Sequence, residues 1–252
     1  MARQKSIISL EGTLGNITFF KSQDGYMARE KGGVTAEKIA NDPAFQRTRE
    51  NNAEFGRAGK ASKLLRTAFR PIIRNASDSR MISRLTALMF AVIKADTTNT
   101  RGQRNVIDGE ALLLQGFDFN NQGKLSTTIF APYTVTLDRT TGNVTVNVPS
   151  FVQNEMITAP DGTTHFRLSL AGAEIDFENG IFSTLSNESD YITWNNEPAT
   201  DVALTVQLPA ASAHPLFALV DIEFVQDVNG TKYSLKNGAF NACAIVKVDT
   251  PA

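Results

Sequence analysis

The sequence predicts an α+β fold in three parts: an N-terminal β-ribbon, a basic segment of two helices and an acidic antiparallel β-sandwich. Two regions of alternating apolar and polar residues, one early and one in the second half, are typical of half-buried strands. Between these regions, apolar residues recur at helical spacing. We place the ribbon at residues 1–34, the helical segment at residues 35–104 and the sandwich at residues 105–252.

The ribbon is predicted from alternation on both sides of a turn. Ile17, Phe19 and Phe20 precede a turn at residues 23–25, and a further strand begins near Tyr26. The turn contains Asp-Gly, which is favoured in tight hairpins because Gly tolerates a positive φ. A two-stranded ribbon is marginally stable alone in water. It must therefore dock either on its own sandwich or on a neighbouring copy.

The first helix is predicted to begin at Asp42. The Asp42 side chain can act as the N-cap, and Pro43 fits the first helical position because its missing N–H would be unpaired there. Gly56 and Gly59 each cost roughly 1 kcal/mol relative to Ala in a helix interior. They therefore predict either a partner packed close to the backbone or a break. Pro71 is expected to end or kink the element.

The second helix has the clearer amphipathic pattern. We expect it to follow Asn75 or Ser77 as its N-cap. The residues predicted on its buried side are Met81, Leu85, Leu88, Met89 and Val92. The outward faces of the two helices form a cationic surface, whose members are Arg47, Arg49, Arg57, Lys60, Lys63, Arg66, Arg70, Arg74, Arg80, Arg84 and Lys94.

The charge is divided unevenly along the chain. Residues 1–104 hold 19 Lys+Arg and 9 Asp+Glu, a net of +10, whereas residues 105–252 hold 6 and 17, a net of −11. Either the two halves neutralise each other within one fold, or the basic part of one copy meets the acidic part of the next. A contact between two different patches repeats, so it closes into a ring or continues as a filament.

The second half is predicted to be a sandwich because short strands recur with turn signals between them. The clearest hairpin turn is Asn229-Gly230, and the polar stretch 96–103 is the expected boundary before the domain. Residues 106–114 fit either a strand or a short helix. The expected strands are residues 127–130, 134–137, 144–148, 166–171, 174–178, 191–194, 201–208, 216–225, 232–235 and 242–248.

Few residues have the spacing that catalysis or metal binding requires. Neither His165 nor His214 has a carboxylate at a familiar zinc-ligand spacing. The run at 118–123 is similar to a calcium loop, but its twelfth position is Ile129, where a bidentate Glu is needed. Cys243 is expected to be a small buried hydrophobic residue. We therefore predict no catalytic residue, no metal site and no cofactor, and we identify no small-molecule substrate.

Nucleic-acid binding is an alternative function. The basic helical faces could neutralise several phosphates. However, Phe45, Phe55 and Phe69 fall on or near the apolar stripe of the first helix, so no stacking platform for bases is visible. A third alternative is a carbohydrate-binding sandwich, in which Tyr133 and two further aromatic residues line a sugar face. Those two residues are Tyr191 and Trp194.

The sequence contains no recognisable membrane span or export signal. The chain has no run of eighteen apolar residues and no apolar segment before a cleavage site near its N-terminus. We predict that it has no membrane span and that it is synthesised in the cytoplasm without a signal peptide. Its final location stays open.

Both ends of the chain carry motifs that support a family resemblance. The N-terminal motifs are Gly12-Thr13-Leu14-Gly15-Asn16-Ile17-Thr18-Phe19, Gly25-Tyr26-Met27-Ala28-Arg29, Asp42-Pro43-Ala44-Phe45-Gln46-Arg47-Thr48-Arg49-Glu50-Asn51 and Glu54-Phe55-Gly56. The C-terminal motifs are Val228-Asn229-Gly230 and Lys236-Asn237-Gly238-Ala239-Phe240-Asn241-Ala242. This pattern resembles uncharacterised Bacteroidota proteins of the domain-of-unknown-function type. The resemblance implies a bacterial protein of regular architecture, and it implies no activity or ligand.

The charge division, the ribbon and the lack of a catalytic pattern together predict a non-enzymatic structural protein. We expect copies of it to assemble into a homo-oligomer or filament through basic-to-acidic contacts and strand addition. The predicted interface residues are Ile17, Phe19, Phe20, Tyr26, Arg47, Arg49, Arg57, Lys60, Lys63, Arg66 and Arg70.

Overall fold

A computed structural model of the chain describes residues 1–5, 8–30 and 32–251. The chain divides into two compact units, Met1–Glu50 and Asn51–Ala252. Residues 51–104 therefore lie in the same unit as the β-rich region. The predicted α+β class, with a β-sandwich in the second half, is confirmed.

The regular elements are mostly antiparallel strands and short helices. Within the described residues the strands are β1 (Ala2–Arg3), β2 (Gly12–Leu14), β3 (Ile17–Ser22), β4 (Gly25–Glu30), β5 (Thr134–Asp138), β6 (Asn143–Val148), β7 (His165–Asp176), β8 (Ile181–Glu188), β9 (Ile192–Thr193), β10 (Val202–Gln207), β11 (Leu216–Val228), β12 (Thr231–Ser234) and β13 (Ala242–Asp249). The α-helices there are α1 (Ala36–Asn41), α2 (Gln46–Ala68), α3 (Arg70–Ile73), α4 (Met81–Lys94), α5 (Leu125–Thr128) and α6 (Gln153–Met156). Short 3₁₀ helices cover Pro43–Phe45, Ala111–Leu114 and Leu235–Gly238.

The Met1–Glu50 unit contains a four-stranded sheet in the order β1-β4-β3-β2. The short helix α1 follows, and the Thr35 side chain caps it by accepting from the N–H of Lys38. Asp42 then caps the 3₁₀ helix Pro43–Phe45, which runs directly into α2. The predicted start at Asp42 and Pro43 is therefore confirmed, whereas α1 was not predicted.

The Asn51–Ala252 unit has three layers. Its central layer is a six-stranded sheet in which β11 pairs with β7, β12 and β13, and β7 also pairs with β8 and β9. Helices α2 and α4 cover one face of this sheet, and the three-stranded sheet β10-β6-β5 covers the other. The central strands β7 and β11 are thus buried on both sides over most of their length.

Alternate residues of the central strands belong to the two different cores. Phe217 and Leu219 of β11 pack with the helices, whereas Ala218 and Val220 pack with the three-stranded sheet. This follows from the period of two in a strand, where successive side chains point to opposite faces. Both sets are apolar because both faces are covered.

Several sequence predictions for the helices need correction. The second helix begins at Met81 with Arg80 as N-cap, and the nearby carboxylate of Asp78 accepts from the N–H of Arg80. Asn75 and Ser77 are therefore not its caps. Pro71 lies in the first turn of α3 after α2 has ended, as predicted.

The glycines of α2 do not have the expected role. Helix α2 is continuous through Gly56 and Gly59, so neither marks a break. A Cβ atom added at either position would meet nothing within 4 Å, so no partner in the described chain packs closely there.

Some strand predictions are also wrong. Residues 127 and 128 lie in α5 and not in a strand, and the N–H of Ile129 donates to the carbonyl of Leu125 at 2.9 Å at the end of this helix. Residues 166–171 and 174–178 belong to one strand up to Asp176, because β7 pairs with β11 without interruption. Strand β8 was not predicted. Residues 111–114 of the ambiguous segment form a 3₁₀ helix. The Asn229-Gly230 turn is confirmed, with φ of 55° and 82°.

Candidate assembly surface

One face of the N-terminal sheet carries a cluster of apolar side chains, next to Lys21 and Glu30 on the same face. Residues directly opposite each other on paired strands share a face of the sheet. Leu14 pairs with Ile17, and Phe19 pairs with Ala28. Since Ile17 and Phe19 are two residues apart on β3, all four side chains lie on one side. We name Leu14, Ile17, Phe19 and Ala28 the apolar face.

The apolar face is open to solvent. Leu14 is 73% exposed and Ile17 is 45% exposed. A shallow depression of about 680 Å³ lies over this face, beside Leu14, Ile17 and Ala28. Among the described residues of Met1–Glu50, none is classed as buried. The sheet therefore lacks the packed apolar face that normally stabilises so small a sheet.

The four ribbon residues predicted for the interface do not all share this face. Tyr26 pairs with Lys21 on the same side as Phe19, and the Lys21 Nζ lies 5.5 Å from the centre of the Tyr26 ring. Phe20 lies on the opposite face, where it pairs with Met27 and where the Arg29 guanidinium is 5.6 Å from its ring centre. The alternation of apolar and polar residues does not predict which of Phe19 and Phe20 lies on the apolar face, because both residues are apolar.

Two predicted cations lie at the start of α2. Arg49 Nη1 donates to the carbonyls of Ile39 at 2.8 Å and Asp42 at 2.9 Å, so it holds the turn after α1. Arg47 pairs with Glu50 at 3.2 Å, but its side chain is 74% exposed. Arg47 can therefore reach a partner, whereas Arg49 is engaged by its own backbone.

Arg57 also binds the backbone of its own chain. Its Nη1 donates to the carbonyls of Gly102 at 2.7 Å and Arg104 at 3.0 Å. Arg57 and Lys60 line a cleft of about 390 Å³, which Glu178 borders on another side. Arg57 thus stabilises the loop at residues 102–104, and its charge is directed at backbone carbonyl groups of its own chain.

The remaining predicted cations differ in exposure. Lys60 and Lys63 on α2, and Arg70 on α3, are exposed. Arg66 is half-buried, and within the described part of the chain its Nε is buried without a hydrogen-bond partner. Lys60, Lys63 and Arg70 are the cations of this group that can meet a partner without rearrangement.

A buried ion pair that was not predicted fixes the segment after α4. The Glu54 carboxylate accepts from Arg104 Nε at 2.7 Å, from Arg104 Nη2 at 2.8 Å and from the N–H of Gly102 at 2.7 Å. Hydrogen bonds from Arg104 hold the pKa of Glu54 below its ordinary value, although burial opposes them. Asp96 is also buried and accepts from the N–H groups of Thr98 and Asn99. The polar stretch 96–103 is therefore a fixed loop and not a loose linker.

A second ion pair lies at the start of α4, and its arginine also binds backbone carbonyls of the loop before α5. Arg84 Nη2 lies 2.5 Å from Asp78 Oδ2, and Arg84 also donates to the carbonyls of Asp118 at 2.8 Å and Phe119 at 3.1 Å. The guanidinium lies 5.0 Å from the ring centre of Phe117. Arg84 is thus neutralised within its own chain.

A cleft of about 450 Å³ contains a carboxyl group and a phenol. Asp118 and Tyr133 both line it. Burial raises the pKa of the Asp118 carboxyl, and burial together with Asp118 raises the pKa of the Tyr133 phenol. Asp118 Oδ1 accepts from the N–H of Leu125 at 2.9 Å, and Asn120 donates to the carbonyl of Asn241 at 2.9 Å. Asp118 and Asn120 thus form hydrogen bonds both within their own loop and to the distant segment at Asn241.

The aromatic residues considered for sugar binding have contacts within their own unit. Trp194 is half-buried and packs edge-on against Phe166, with ring centres 6.2 Å apart. Tyr191 packs under Arg167, whose guanidinium lies 4.9 Å from its ring centre, and under Lys232. Tyr133 lies in the cleft with Asp118 and packs against the sandwich core.

The histidines and the cysteine are separate from one another. His214 Nε2 lies 3.8 Å from Asp176 Oδ2, and His165 Nδ1 lies 3.0 Å from the hydroxyl of Thr164. Cys243 is fully buried in the helix-side core, and burial raises the pKa of its thiol well above the ordinary value. Among the residues that the structure describes, no three His, Cys, Asp or Glu side chains converge as metal ligands.

One buried carboxyl group is unusual. Asp221 on β11 is 8% exposed, and within the described residues its Oδ1 is buried without a hydrogen-bond partner. Burial, reinforced by Glu223, raises the pKa of Asp221 well above its ordinary value. The neighbouring Glu223 is instead paired with Arg167, at 2.8 Å. Asp221 thus lies among charged side chains without a cation of its own.

Comparisons with known proteins return no relative. The chain matches no protein-family model, no curated protein and no solved structure. The resemblance to Bacteroidota proteins thus stays a prediction from the sequence motifs. Across the described residues, no helix combines the length and the apolar character needed to span a bilayer.

Proposed function

We propose that the protein is a non-enzymatic structural protein whose copies assemble through the N-terminal sheet. In this proposal, the next copy covers the apolar face, and the exposed cations of α2 and α3 separately attract the acidic β-rich region of other copies. The observation that carries the proposal is that no described residue of Met1–Glu50 is buried. A four-stranded sheet in that state gains stability only when another surface covers it.

Apolar burial supplies the driving force in this proposal. Full burial of a Leu or Ile side chain is worth about 1.5–3 kcal/mol. Leu14 and Ile17 retain 73% and 45% of their exposure, so covering both contributes roughly 2–3 kcal/mol. Phe19 and Ala28 on the same face add to this.

Charge gives the contact its direction. Lys60, Lys63 and Arg70 are exposed cations, and exposed acids of the β-rich region include Glu155 and Glu197. Some of the few cations of the β-rich region form ion pairs with acids of the same region, so these cations do not neutralise its remaining exposed acids. Complementary fields steer association and fix orientation. Because the two patches differ, the contact is head-to-tail and extends to a ring or a filament.

The strongly hydrogen-bonded acids support a structural function. Glu54 and Asp96 fix the loop after α4, and Asp78 holds Arg84. Each of these carboxylates acts on the backbone or on a cation of its own chain. Their perturbed ionisation is thus explained by folding alone.

Sedimentation velocity on the variant Leu14→Asp/Ile17→Asp tests the proposal. Both side chains are exposed, so the change places charge on the apolar face without opening a core. We expect the variant to lose the salt-sensitive assembly of the unmodified protein. Ile82→Asp on α4 is the matched control, because Ile82 is 51% exposed and lies outside the proposed contact.

Two outcomes would contradict the proposal. One is equal assembly of the double variant and the control. The other is assembly that appears only when nucleic acid is added, since the exposed cations would then serve phosphate binding.

A further inference from the structure

We infer that the cleft between β5 and β13 binds a small neutral sugar, with Asp118 and Tyr133 as its principal contacts. The cleft lies in the Asn51–Ala252 unit, and the inference does not rest on assembly through the N-terminal sheet. Of the three aromatic residues considered for sugar binding from the sequence, Tyr133 lines this cleft, whereas Tyr191 and Trp194 do not.

The cleft has the size of a small-molecule site. Its volume of about 450 Å³ lies within the range of roughly 300–1,000 Å³ that is typical of such sites. Its lining comes from the start of β5, from residues 244–247 of β13 and from the segment 115–126. The register of β13 with β11 shifts beside Val246, which is the extra residue of a β-bulge in the cleft wall. Such bulges are frequent next to active sites, because they redirect side chains.

Two polar atoms in the cleft lack a partner in the described chain. Asp118 Oδ1 accepts from the N–H of Leu125 at 2.9 Å, whereas Asp118 Oδ2 and the phenol oxygen of Tyr133 form no hydrogen bond with the described residues. Neither atom is among the fully buried unpartnered atoms, so both are accessible to solvent. Burial, reinforced by Asp118, raises the pKa of the Tyr133 phenol, which therefore stays protonated at neutral pH. The cleft thus offers an acceptor next to a donor.

Other lining residues complete a surface that suits a sugar. The Gln115 side-chain oxygen accepts from the N–H of Val248 at 3.3 Å, which leaves two amide N–H groups for a ligand. Leu125, Val135 and the half-buried ring of Tyr133 supply apolar surface beside these polar groups. A sugar needs both kinds of surface, because its ring C–H groups are apolar while its hydroxyls donate and accept hydrogen bonds.

The charges of the cleft argue against other ligand classes. Among the described residues that line it, Asp118 is the one carboxylate and Lys247 the one cation, so there is no net charge to hold a phosphate. A single carboxylate is also too few for a divalent cation. Lys247 is exposed, so water weakens its attraction for the carboxylate of a zwitterionic amino acid. A neutral ligand rich in hydroxyls fits these groups best.

Saturation-transfer NMR tests the inference with four separate probes: glucose, galactose, mannose and N-acetylglucosamine. We expect at least one of them to receive saturation from the unmodified protein, and titration then gives its Kd. Asp118→Asn removes the charged acceptor but keeps an oxygen for the N–H of Leu125, and it should raise this Kd at least about tenfold. Tyr133→Phe removes only the phenol oxygen and should raise it about threefold.

Two exposed positions outside the cleft provide matched controls. Asp161→Asn and Tyr233→Phe should both leave the Kd unchanged. Saturation of none of the four sugars would overturn the inference, and so would an equal Kd for the cleft variants and the controls. Saturation of alanine but of no sugar would assign the cleft to a zwitterion and would also overturn it. Each of these results leaves the proposed assembly untouched, because assembly is measured by the mass of the protein.

Discussion

Replacement of Glu54 by Gln should destabilise the Asn51–Ala252 unit strongly. Glu54 is 1% exposed and its carboxylate accepts three hydrogen bonds, from Gly102 and from two nitrogens of Arg104. An amide accepts through one oxygen only and turns an N–H toward the guanidinium. Breaking one partner of a buried ion pair costs about 3–5 kcal/mol. The Arg104 side chain is 19% exposed, so water can reach it, and we expect the lower value of about 3 kcal/mol.

Urea unfolding followed by Trp194 fluorescence measures this loss. Trp194 is the one tryptophan of the chain and packs beside the sandwich core, so it reports on the correct unit. A loss of about 3 kcal/mol also corresponds to a fall of roughly 6–12 °C in the thermal midpoint. Glu155→Gln, on the exposed surface, is the control and should stay within about 0.5 kcal/mol. Equal stability of the two variants would refute the assigned role of Glu54.

The pH dependence of the same pair gives an independent check. The pKa of Glu54 in the folded state is lowered from 4.5. The stability that its charge contributes is therefore fully present above pH 4.5 and is lost as the pH falls through the lower folded value. The difference in the free energy of unfolding between the original protein and Glu54→Gln should accordingly become smaller as the pH falls below 4.5. A gap that widens in acid would contradict this sign.

The fold class could be predicted because the periodicities of the chain are clear. The Asn229-Gly230 hairpin and the alternating valines of β6 have local signals that the structure confirms. Strand β8 lacks such a signal, because it is exposed on both faces and nothing selects alternating polarity. The split of β7 was predicted wrongly because Gly172 resembles a turn residue, although it continues the ladder with Ala218.

The charged residues could be predicted as a group but not one by one. Composition identified the cations of α2, and it could not show that Arg57 binds the carbonyls of residues 102 and 104. Glu54 and Arg104 are 50 positions apart in the sequence, and no local sequence pattern predicts a contact over such a separation. Likewise, the separation of Phe19 from Phe20 depends on the register of β3 with β4.

Three further predictions concern single side chains. Gly56→Ala and Gly59→Ala should each raise the free energy of unfolding by roughly 1 kcal/mol, since both positions lie in open space on α2, and urea unfolding that shows a loss would contradict this. Asp221→Asn should be more stable than the original protein at alkaline pH and similar to it near pH 3.8. The reason is that a carboxyl group whose pKa is raised by folding destabilises the folded protein as the pH rises above 3.8, and thermal melts at several pH values check this sign. Cys243 should not react with a thiol reagent until the protein unfolds, and rapid labelling of the native protein would show that its burial is wrong.

The molar mass of the unmodified protein in solution, measured by light scattering over a range of concentrations at low and at high salt, tests self-assembly most directly. We expect a mass above the 27.4 kDa of one chain, rising with concentration and falling when salt is added. A constant mass of 27.4 kDa at every concentration and at both salt levels would contradict self-assembly.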